Sequence, residues 1–392
     1  MEGIKDKVAI VGMGCTQFGE LWDKSHKDLL VDACYEAFED AGIESKDVQM
    51  AWYGSRETGF TGTQLANALK LEYIPISRVE NFCAGGTDTF RNACYAVASG
   101  VCDIALAVGV EKCKDHYGGF CMDILDPFDR SMVEWELPPV SQFAFLATRY
   151  MHHYGWKYED FKRLLSMIDV KNHHNGTISP KAQFHREITI EQAMNAPMIS
   201  YPLGLFDACG VSDGSAAAIV TTPEIAKKMR KDYILVKALA LTNGAGQAVM
   251  QPEYNFLSIP ETVTAAEHAY KEAGITDPRH EIDLAIVHDC FSITELMTME
   301  DLQFSPRGKA PEDVEAGTFT LEGELPVNTD GGLKCFGHPL SASGLRMIYE
   351  IYKQLQGKAG PRQLKKADIG LTHNVGGICG FFNCTVALFG KP

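Results

Sequence analysis

The sequence predicts a mixed α/β fold made of two similar halves, with a long insertion in the first. Apolar strand-like runs alternate with helical patterns through most of the 392 residues. Two pairs of segments resemble each other: 103–107 resembles 368–372, and 214–221 resembles 380–387. The segment 113–205 breaks this rhythm, and a segment of this length between sheet strands is typical of a lid or binding subdomain.

The first half begins with a buried strand at 8–12 and a helix at 27–41 that stops before Gly42. A short strand follows at 51–54, and an extended run at 76–82 leads to Cys83. A helix rich in small residues covers 84–99. The run 103–110 is apolar on both faces, as expected of a central strand.

The insertion contains helical patterns at 142–154 and 159–171, and the second half repeats the alternation of strands and helices. Its predicted elements are strands at 282–287, 368–372 and 381–389 and a helix at 341–356 closed by Gly357. The predicted domains are a first half of 1–112 with 206–230, an inserted domain of 113–205 and a second half of 231–392.

The composition excludes several classes of function. A net charge of −15 argues against nucleic acid as the main partner. No run approaches the roughly 18 apolar residues that a membrane span needs, and the N-terminus resembles no targeting peptide, so a cytoplasmic protein is expected. The 12 cysteines include no CxxC pair and no Cys/His set at zinc-ligand spacing, so free thiols and no metal site are predicted.

Cys83 is the leading candidate nucleophile. It stands between an extended run and the start of a helix, where unpaired backbone N–H groups and the helix dipole favour a thiolate. The alternative is a structural cysteine, because a free cysteine usually behaves as a small core residue.

Three further motifs lie at strand ends or helix starts, where α/β folds place their ligand crevice. His288 and Cys290 follow the strand 282–287. His338 comes directly before Pro339, which suits the first position of the next helix. The segment 373–377 ends the strand 368–372. Each alone is typical of structural residues, but together they indicate one catalytic site.

Taken together, these motifs resemble the thiolase superfamily over essentially the whole chain. Residues 83–86 match its nucleophile loop, and 337–339 match its Gly-His-Pro loop. The segment 288–291 reads His-Asp-Cys-Phe where many members have Asn-Glu-Ala-Phe, as in sterol-carrier-protein-type and archaeal thiolases. The fold implied is a pair of βαβαβαββ halves in a layered αβαβα arrangement, with a loop domain inserted in the first.

The fourth loop of the family usually reads Cys-x-Gly, whereas this chain has Asn374, Val375 and Gly376. The usual second cysteine is therefore absent, and in the subgroup with the His-Asp-Cys-Phe loop the cysteine of that loop takes its role. The resemblance thus implies Cys290 as the acid/base, with Cys379 outside the motif position.

The resemblance implies an acyltransferase that cleaves a 3-oxoacyl-CoA, or condenses acyl-CoAs, through an acyl group on Cys83. His338 would help to form the thiolate. Backbone N–H groups of Cys83 and Gly376, in the loop that contains Asn374, would form one oxyanion site. The other would use His338 and a water held by His288.

Coenzyme A is the implied co-substrate, with no permanently bound cofactor. The implied assembly is a homodimer or tetramer. Many members of this subgroup also work with a separate small subunit that has an OB-fold and a zinc ribbon, so such a partner is expected.

The acyl substrate is open at this point. Phe120, Met122 and Phe143, with Phe145 nearby, are candidates for a pocket that takes a bulky or aromatic acyl chain. The opening segment 11–20 resembles thiolase subunits of anaerobic aromatic degradation, such as 2-benzoylsuccinyl-CoA thiolase. Acetoacetyl-CoA formation is the main competing prediction.

Other classes share parts of the pattern. A ketosynthase or a hydroxymethylglutaryl-CoA synthase has the same fold and nucleophile, but Cys290 beside His288 favours a thiolase. A Cys-His-Asp hydrolase and a non-catalytic acyl-CoA- or lipid-binding scaffold subunit remain as alternatives.

Overall fold

The computed structural model describes residues 3–56, 58–115, 138–246 and 250–392. Nine of the described strands form one mixed sheet, and two form a small hairpin. The strands are β1 (Ala9–Cys15), β2 (Met50–Gly54), β3 (Ile76–Val79), β4 (Ile104–Lys112), β5 (Met198–Ser200), β6 (Leu203–Gly204), β7 (Asp213–Thr221), β8 (Ile234–Asn243), β9 (Leu284–Ile286), β10 (Ile369–Ile378) and β11 (Phe381–Gly390).

The described helices agree with the periodic patterns of the sequence at most positions, with ends that shift by a few residues. They are α1 (His26–Ala41), α2 (Gly62–Leu69), α3 (Gly85–Ala98), α4 (Pro139–His153), α5 (Tyr158–Thr177), α6 (Ile190–Met194), α7 (Pro223–Met229), α8 (Pro260–Ala273), α9 (Pro278–Glu281), α10 (Ser292–Asp301), α11 (Ala310–Glu315), α12 (Gly332–Phe336) and α13 (Leu340–Leu355). None of them is long and apolar enough to cross a membrane.

The sheet topology confirms the predicted duplication. The first half has the strand order β1-β7-β4-β2-β3, and the second has β8-β11-β10-β9. In both halves the first two neighbouring pairs are antiparallel and the third is parallel. A short antiparallel pairing of β1 with β8 joins them. Helices α3 and α13 therefore occupy equivalent places, each directly before β4 or β10.

Strand β10 is longer than predicted. The sequence pattern ends it at Thr372, but the strand runs on to Ile378, so His373 and Asn374 lie within it. The extension has a physical cause: every residue from Ile369 to Ile378 pairs with β11, so the hairpin keeps the backbone hydrogen-bonded beyond the apolar run.

Layers of helices cover both faces of the sheet. In β1, Ala9 and Val11 pack in the cluster that contains α1, whereas Ile10 and Met13 face the larger core on the other side. Ala9, Ile10 and Val11 thus alternate between the two faces, as expected of a strand buried on both sides, and a register shift between Ile10 and Gly12 places Met13 on the same side as Ile10. Helices α3 and α13 pack against each other and against the strands of the first half, and α13 also contacts β10. Helix α8 covers β8 and β11.

Helix α13 approaches the start of α3 and strand β4 closely because two glycines, Gly86 in α3 and Gly109 in β4, make room for the backbone of Ser341. A Cβ at Gly86 would lie 2.2 Å from the carbonyl oxygen of Ser341, and a Cβ at Gly109 would lie 2.0 Å from the same oxygen. No side chain fits in either position without displacing α13. This contact sets the separation of the two helix starts, where Cys83 and His338 stand.

Candidate active site

Cys83 lies in a tight turn between β3 and α3. Phe82 has a φ of +50°, a left-handed conformation that is uncommon for a bulky residue. The turn is closed by hydrogen bonds from Ala84 N to Asn81 O at 3.1 Å and from Gly85 N to Phe82 O at 3.0 Å. The Asn81 amide also donates to Asp88 Oδ2 at 2.6 Å, which ties the turn to the first turns of α3. The position of Cys83 is therefore held by several independent contacts.

Two histidines from the second half meet Cys83. The Cys83 thiol sulfur, one ring nitrogen of His288 and one ring nitrogen of His338 all lie within 4.8 Å of one another. The two imidazoles are edge-on, with ring centroids 5.0 Å apart. His338 precedes α13, which begins at Leu340 with Pro339 as its N-cap rather than its first residue. Three residues far apart in sequence thus form one cluster.

The hydrogen bonds of His338 favour the tautomer with the proton on Nδ1. Its Nδ1 lies 2.8 Å from Ser343 Oγ, and that hydroxyl donates to Pro339 O at 3.2 Å. Because the Ser343 proton is used in that bond, the hydroxyl accepts from Nδ1–H. This leaves the lone pair of His338 on Nε2, which is buried without a hydrogen-bond partner among the described residues.

Burial keeps the Cys83–His338 pair neutral. It raises the pKa of the Cys83 thiol, with the nearby thiol of Cys209 adding to the effect. It also lowers the pKa of His338 to about 3, helped by the charge of Arg346. The preformed thiolate expected from the helix start is therefore not what the structure favours, because desolvation dominates at this site. The resting pair is a thiol beside a basic imidazole nitrogen.

Cys290 lies at the start of α10, with its sulfur 3.6 Å from Thr294 Oγ1. Burial raises the pKa of its thiol well above the ordinary value, and the thiols of Cys209 and Cys83 add to this shift. Cys290 therefore stays protonated at neutral pH. A protonated thiol beside a nucleophile suits a group that donates a proton to carbon.

Cys209 is a third cysteine at this site, and the sequence motifs did not indicate it. Its backbone N–H donates to Cys290 O at 2.9 Å, and the N–H of His338 donates to Gly210 O at 3.0 Å. Residues 209 and 210 thus connect the loop of Cys290 with the loop of His338. Cys209 contributes to the raised pKa of both Cys83 and Cys290, so its thiol lies near both.

The loop around Gly376 packs directly on Cys83. A Cβ at position 376 would lie 2.4 Å from the backbone nitrogen of Cys83 and 2.8 Å from its Cβ. Asn374 lies deeper: its Oδ1 accepts from Thr87 Oγ1 at 2.8 Å, and its Nδ2 lies 3.1 Å from the sulfur of Met347. The side chain of Asn374 thus connects α3, β10 and α13, while the backbone at Gly376 approaches the nucleophile.

Phe143 is buried beside the Cys290 loop. Its ring centroid lies 4.9 Å from that of Phe291 and 5.9 Å from that of Phe382. Phe145, two positions along α4, has 58% of its surface exposed and does not belong to this cluster. Phe120 and Met122 lie outside the described residues.

A buried network of charges lies beneath the Cys290 loop. Ser292 Oγ donates to Asp169 Oδ1 at 2.6 Å, and Lys334 Nζ lies 3.3 Å from the same oxygen. A second buried ion pair joins Lys162 to Asp207. Buried charges need such partners. Because Asp169 and Lys162 are on α5, the network fixes that helix to the start of α10.

Most of the residues singled out in the sequence converge on Cys83. The structure brings together Cys83, His288 and His338, and it places Gly376 against Cys83. Ser343 follows His338 by five residues, but its bond to that ring could not be inferred from spacing. Cys209 had no sequence signal, because one cysteine before a glycine is typical of core packing. The cluster of Cys83, His288 and His338 could not be predicted from zinc-ligand spacing in the sequence, because its members come from three different loops.

Each half of the chain matches the model of a known protein family. Residues 8–224 match the family model described as the N-terminal domain of thiolase, and residues 239–389 match the thiolase C-terminal domain-like model. The two matches together cover most of the chain and leave between them only residues 225–238, which include the start of β8.

Relatives of similar length support the same assignment. The chain is 39% identical over 387 residues to an acetyl-CoA acetyltransferase of Methanothermobacter thermautotrophicus, a match covering 95% of this chain and 97% of the relative. It is 30% identical over 387 residues to the benzoylsuccinyl-CoA thiolase subunit BbsB of Thauera aromatica, with 96% of each chain covered. The solved structure of the Ltp2-ChsH2(DUF35) aldolase superposes with a TM-score of 0.86 at 26% identity, covering 99% of this chain and 98% of that one.

Proposed function

The chain belongs to the thiolase family and is an acyltransferase; from that premise we propose that it makes or cleaves the carbon–carbon bond of a 3-oxoacyl-CoA through an acyl group on Cys83. The observation that carries the proposal is the cluster of Cys83, His288 and His338 within 4.8 Å. Cys290 and Gly376 complete the site.

In the cleavage direction His338 starts the reaction. Its Nε2 takes the Cys83 proton, and the thiolate attacks the 3-oxo carbon of the substrate. The oxyanion that forms is stabilised by backbone N–H groups at Cys83 and Gly376, where the two loops touch. Each such donor contributes about 3 kcal/mol to the transition state.

The carbon–carbon bond then breaks, and the acyl group stays on Cys83. The electron pair of the broken bond moves onto the departing acetyl-CoA as an enolate. The thiol of Cys290 gives its proton to the enolate carbon and becomes a thiolate. His288 and His338, whose ring nitrogens lie next to Cys83, would stabilise the oxygen of this enolate.

A second half-reaction restores the enzyme. The Cys290 thiolate takes the proton of the coenzyme A thiol, and the coenzyme A thiolate attacks the acyl group on Cys83. The released Cys83 thiolate recovers its proton from His338. All groups are then in their starting states, and the reverse sequence condenses two acyl-CoAs.

Ser343 serves as a positioning residue for His338. Replacing it with alanine removes the acceptor for Nδ1–H, so we expect kcat to fall by about 10-fold with little change in KM. Ser343→Thr keeps a hydroxyl and should recover most of the lost rate. Ser341→Ala is the matched control, because the Ser341 hydroxyl has no hydrogen-bond partner among the described residues. Equal losses in Ser343→Ala and Ser341→Ala would contradict the tautomer argument.

For the substrate, we propose acetoacetyl-CoA or a similarly short 3-oxoacyl-CoA. The support is the 39% identity to an acetyl-CoA acetyltransferase over 95% of the chain. An aromatic substrate such as 2-benzoylsuccinyl-CoA is the second candidate, supported by the BbsB relative and by the aromatic cluster of Phe143, Phe291 and Phe382 beside Cys290.

We also propose a small partner subunit of the DUF35 type, since a similar chain forms a complex with one. One experiment tests substrate and partner together: thiolysis of short, branched and aromatic 3-oxoacyl-CoAs, with and without a co-purified partner. The expected result is the highest kcat/KM with acetoacetyl-CoA. Faster turnover of the aromatic substrate would reverse the order of the two candidates. Release of free acid instead of acyl-CoA would indicate a hydrolase, and tight acyl-CoA binding without turnover would indicate a scaffold.

A further inference from the structure

The Cys83, His288 and His338 cluster presents a set of metal ligands as well as a catalytic site. One thiol sulfur and two imidazole nitrogens lie within 4.8 Å of one another. Each histidine also has a buried ring nitrogen without a hydrogen-bond partner among the described residues, Nδ1 in His288 and Nε2 in His338. The cluster therefore combines a ligand geometry with buried ring nitrogens that no described protein group uses.

One thiolate and two imidazoles are ligands that Zn²⁺ prefers. Tetrahedral zinc has Zn–S and Zn–N distances of about 2.3 and 2.1 Å, which places neighbouring ligand atoms about 3.5 Å apart. Side chains that are now up to 4.8 Å apart need to close by about 1 Å, which is within the range of small rotations about side-chain bonds. His338 already has the supporting bond that zinc-bound histidines usually have, from Nδ1–H to Ser343 Oγ.

We propose that Cys83, His288 and His338 form a reversible inhibitory Zn²⁺ site. The zinc ion displaces the proton of the Cys83 thiol, which is released to solvent, and no electrons are transferred. The sulfur lone pair that would attack the substrate is then bound to the metal. Three protein ligands leave a fourth position for water or a small thiol, so a chelator can remove the metal and restore the nucleophile.

The proposed zinc site includes the thiol of Cys83 but not the other two thiols nearby. The sulfur of Cys290 lies near Thr294 Oγ1, and neither Cys290 nor Cys209 belongs to the group of mutually close ligand atoms. Cys83 is therefore the thiol that binds the metal. Metal binding does not require acyl transfer, so a spectroscopic test of this site is independent of the proposed function.

Cobalt(II) is the probe, because it takes the ligands of zinc and gives a charge-transfer absorption band with thiolate. Titration of the whole protein with Co²⁺ is expected to give such a band that saturates at one equivalent, with one proton released per ion bound. Cys83→Ser should abolish the band. His288→Asn and His338→Asn should each weaken binding by at least about 10-fold. Circular dichroism will show whether each variant is folded. If one of the two histidine variants fails to fold, the other still tests the role of the histidines.

Cys209→Ser and Cys290→Ser are the matched controls, and both should keep the band. Zn²⁺ should also slow the alkylation of Cys83 by iodoacetamide, and EDTA should restore the original rate. A band that persists in Cys83→Ser, or that disappears in either control, would overturn the assignment, as would an unchanged alkylation rate under saturating Zn²⁺. Metal binding without thiolase turnover would contradict only the proposed function.

Discussion

Replacing Cys83 with alanine is expected to abolish the acyl-enzyme, because no other group carries the acyl chain in the proposed reaction. The loss in turnover should be on the order of 10⁴-fold or more, the size expected when a catalytic nucleophile is removed. Mass spectrometry of the protein incubated with an acyl-CoA measures this directly. The wild-type chain should gain the mass of one acyl group, and Cys83→Ala should gain none.

Cys290→Ala is expected to separate the two half-reactions. Acylation of Cys83 by an acyl-CoA should persist, because His338 and the contact with Gly376 remain intact. Formation or cleavage of the carbon–carbon bond should fall by about 10²- to 10⁴-fold, the usual contribution of a general acid or base. Cys379→Ala is the matched control, since Cys379 lies near the β10–β11 turn and outside the proposed machinery. It should retain both steps.

Different results would contradict the predictions for Cys83→Ala and for Cys290→Ala. An acyl adduct that persists on Cys83→Ala would place the nucleophile elsewhere. Loss of carbon–carbon chemistry in Cys379→Ala, with full activity in Cys290→Ala, would transfer the acid/base role to Cys379. Loss of acylation in both Cys83→Ala and Cys290→Ala would show that the two thiols act in one step.

A large loss of activity is also expected from Gly86→Ala. The added methyl group would lie 2.2 Å from the carbonyl oxygen of Ser341 and 3.1 Å from the backbone nitrogen of Gly344, so the starts of α3 and α13 must separate. A displacement of about 1 Å between Cys83 and His338 is enough to reduce kcat/KM by about 10²-fold. Overpacking should also lower the free energy of unfolding by about 1–3 kcal/mol, measured by denaturant titration.

Gly85→Ala is the control for this substitution, because it adds the same methyl group one position earlier in the same helix. The nearest atom to its Cβ is the hydroxyl oxygen of Ser341 at 3.2 Å, the end of a side chain that can move. We expect kcat/KM to change by less than about 3-fold. Equal losses in Gly85→Ala and Gly86→Ala would falsify the close helix contact as the cause.

Local patterns were sufficient to predict much of the fold. Strand β4 could be predicted from an apolar run buried on both faces, and helix α13 from a helical pattern that ends at Gly357, and both elements lie near their predicted positions. The second part of β10 could not be predicted in this way. Its strand conformation depends on pairing with β11 in a hairpin, and this part of the strand has no continuous apolar run of its own.

Some residues of the candidate site could likewise be predicted from local sequence patterns, and others could not. Cys83 and His338 could be identified because each stands at a junction that the sequence pattern marks. The left-handed backbone of Phe82 and the position of Cys209 depend on tertiary contacts and had no local signature. The helix start that favours a Cys83 thiolate was visible in the sequence, whereas the desolvation that raises the pKa of this thiol comes from distant segments and was not.

The buried charges beneath the Cys290 loop have a consequence for protein engineering. Asp169 and Lys162 belong to the segment predicted as an insertion, whereas Lys334 and Asp207 lie outside it. A chimera that exchanges residues 113–205 for the equivalent segment of a relative, in order to change acyl specificity, must keep a carboxylate at 169 and a cation at 162. A graft with an apolar residue at 169 would remove the buried ion pair of Lys334 and leave its ammonium group with hydrogen bonds to Phe206 O, Asp207 O and Ser292 Oγ, at a cost of up to about 3–5 kcal/mol. In a recombination library of this region, residues 162 and 169 should therefore be varied together with their partners Asp207 and Lys334 and not independently.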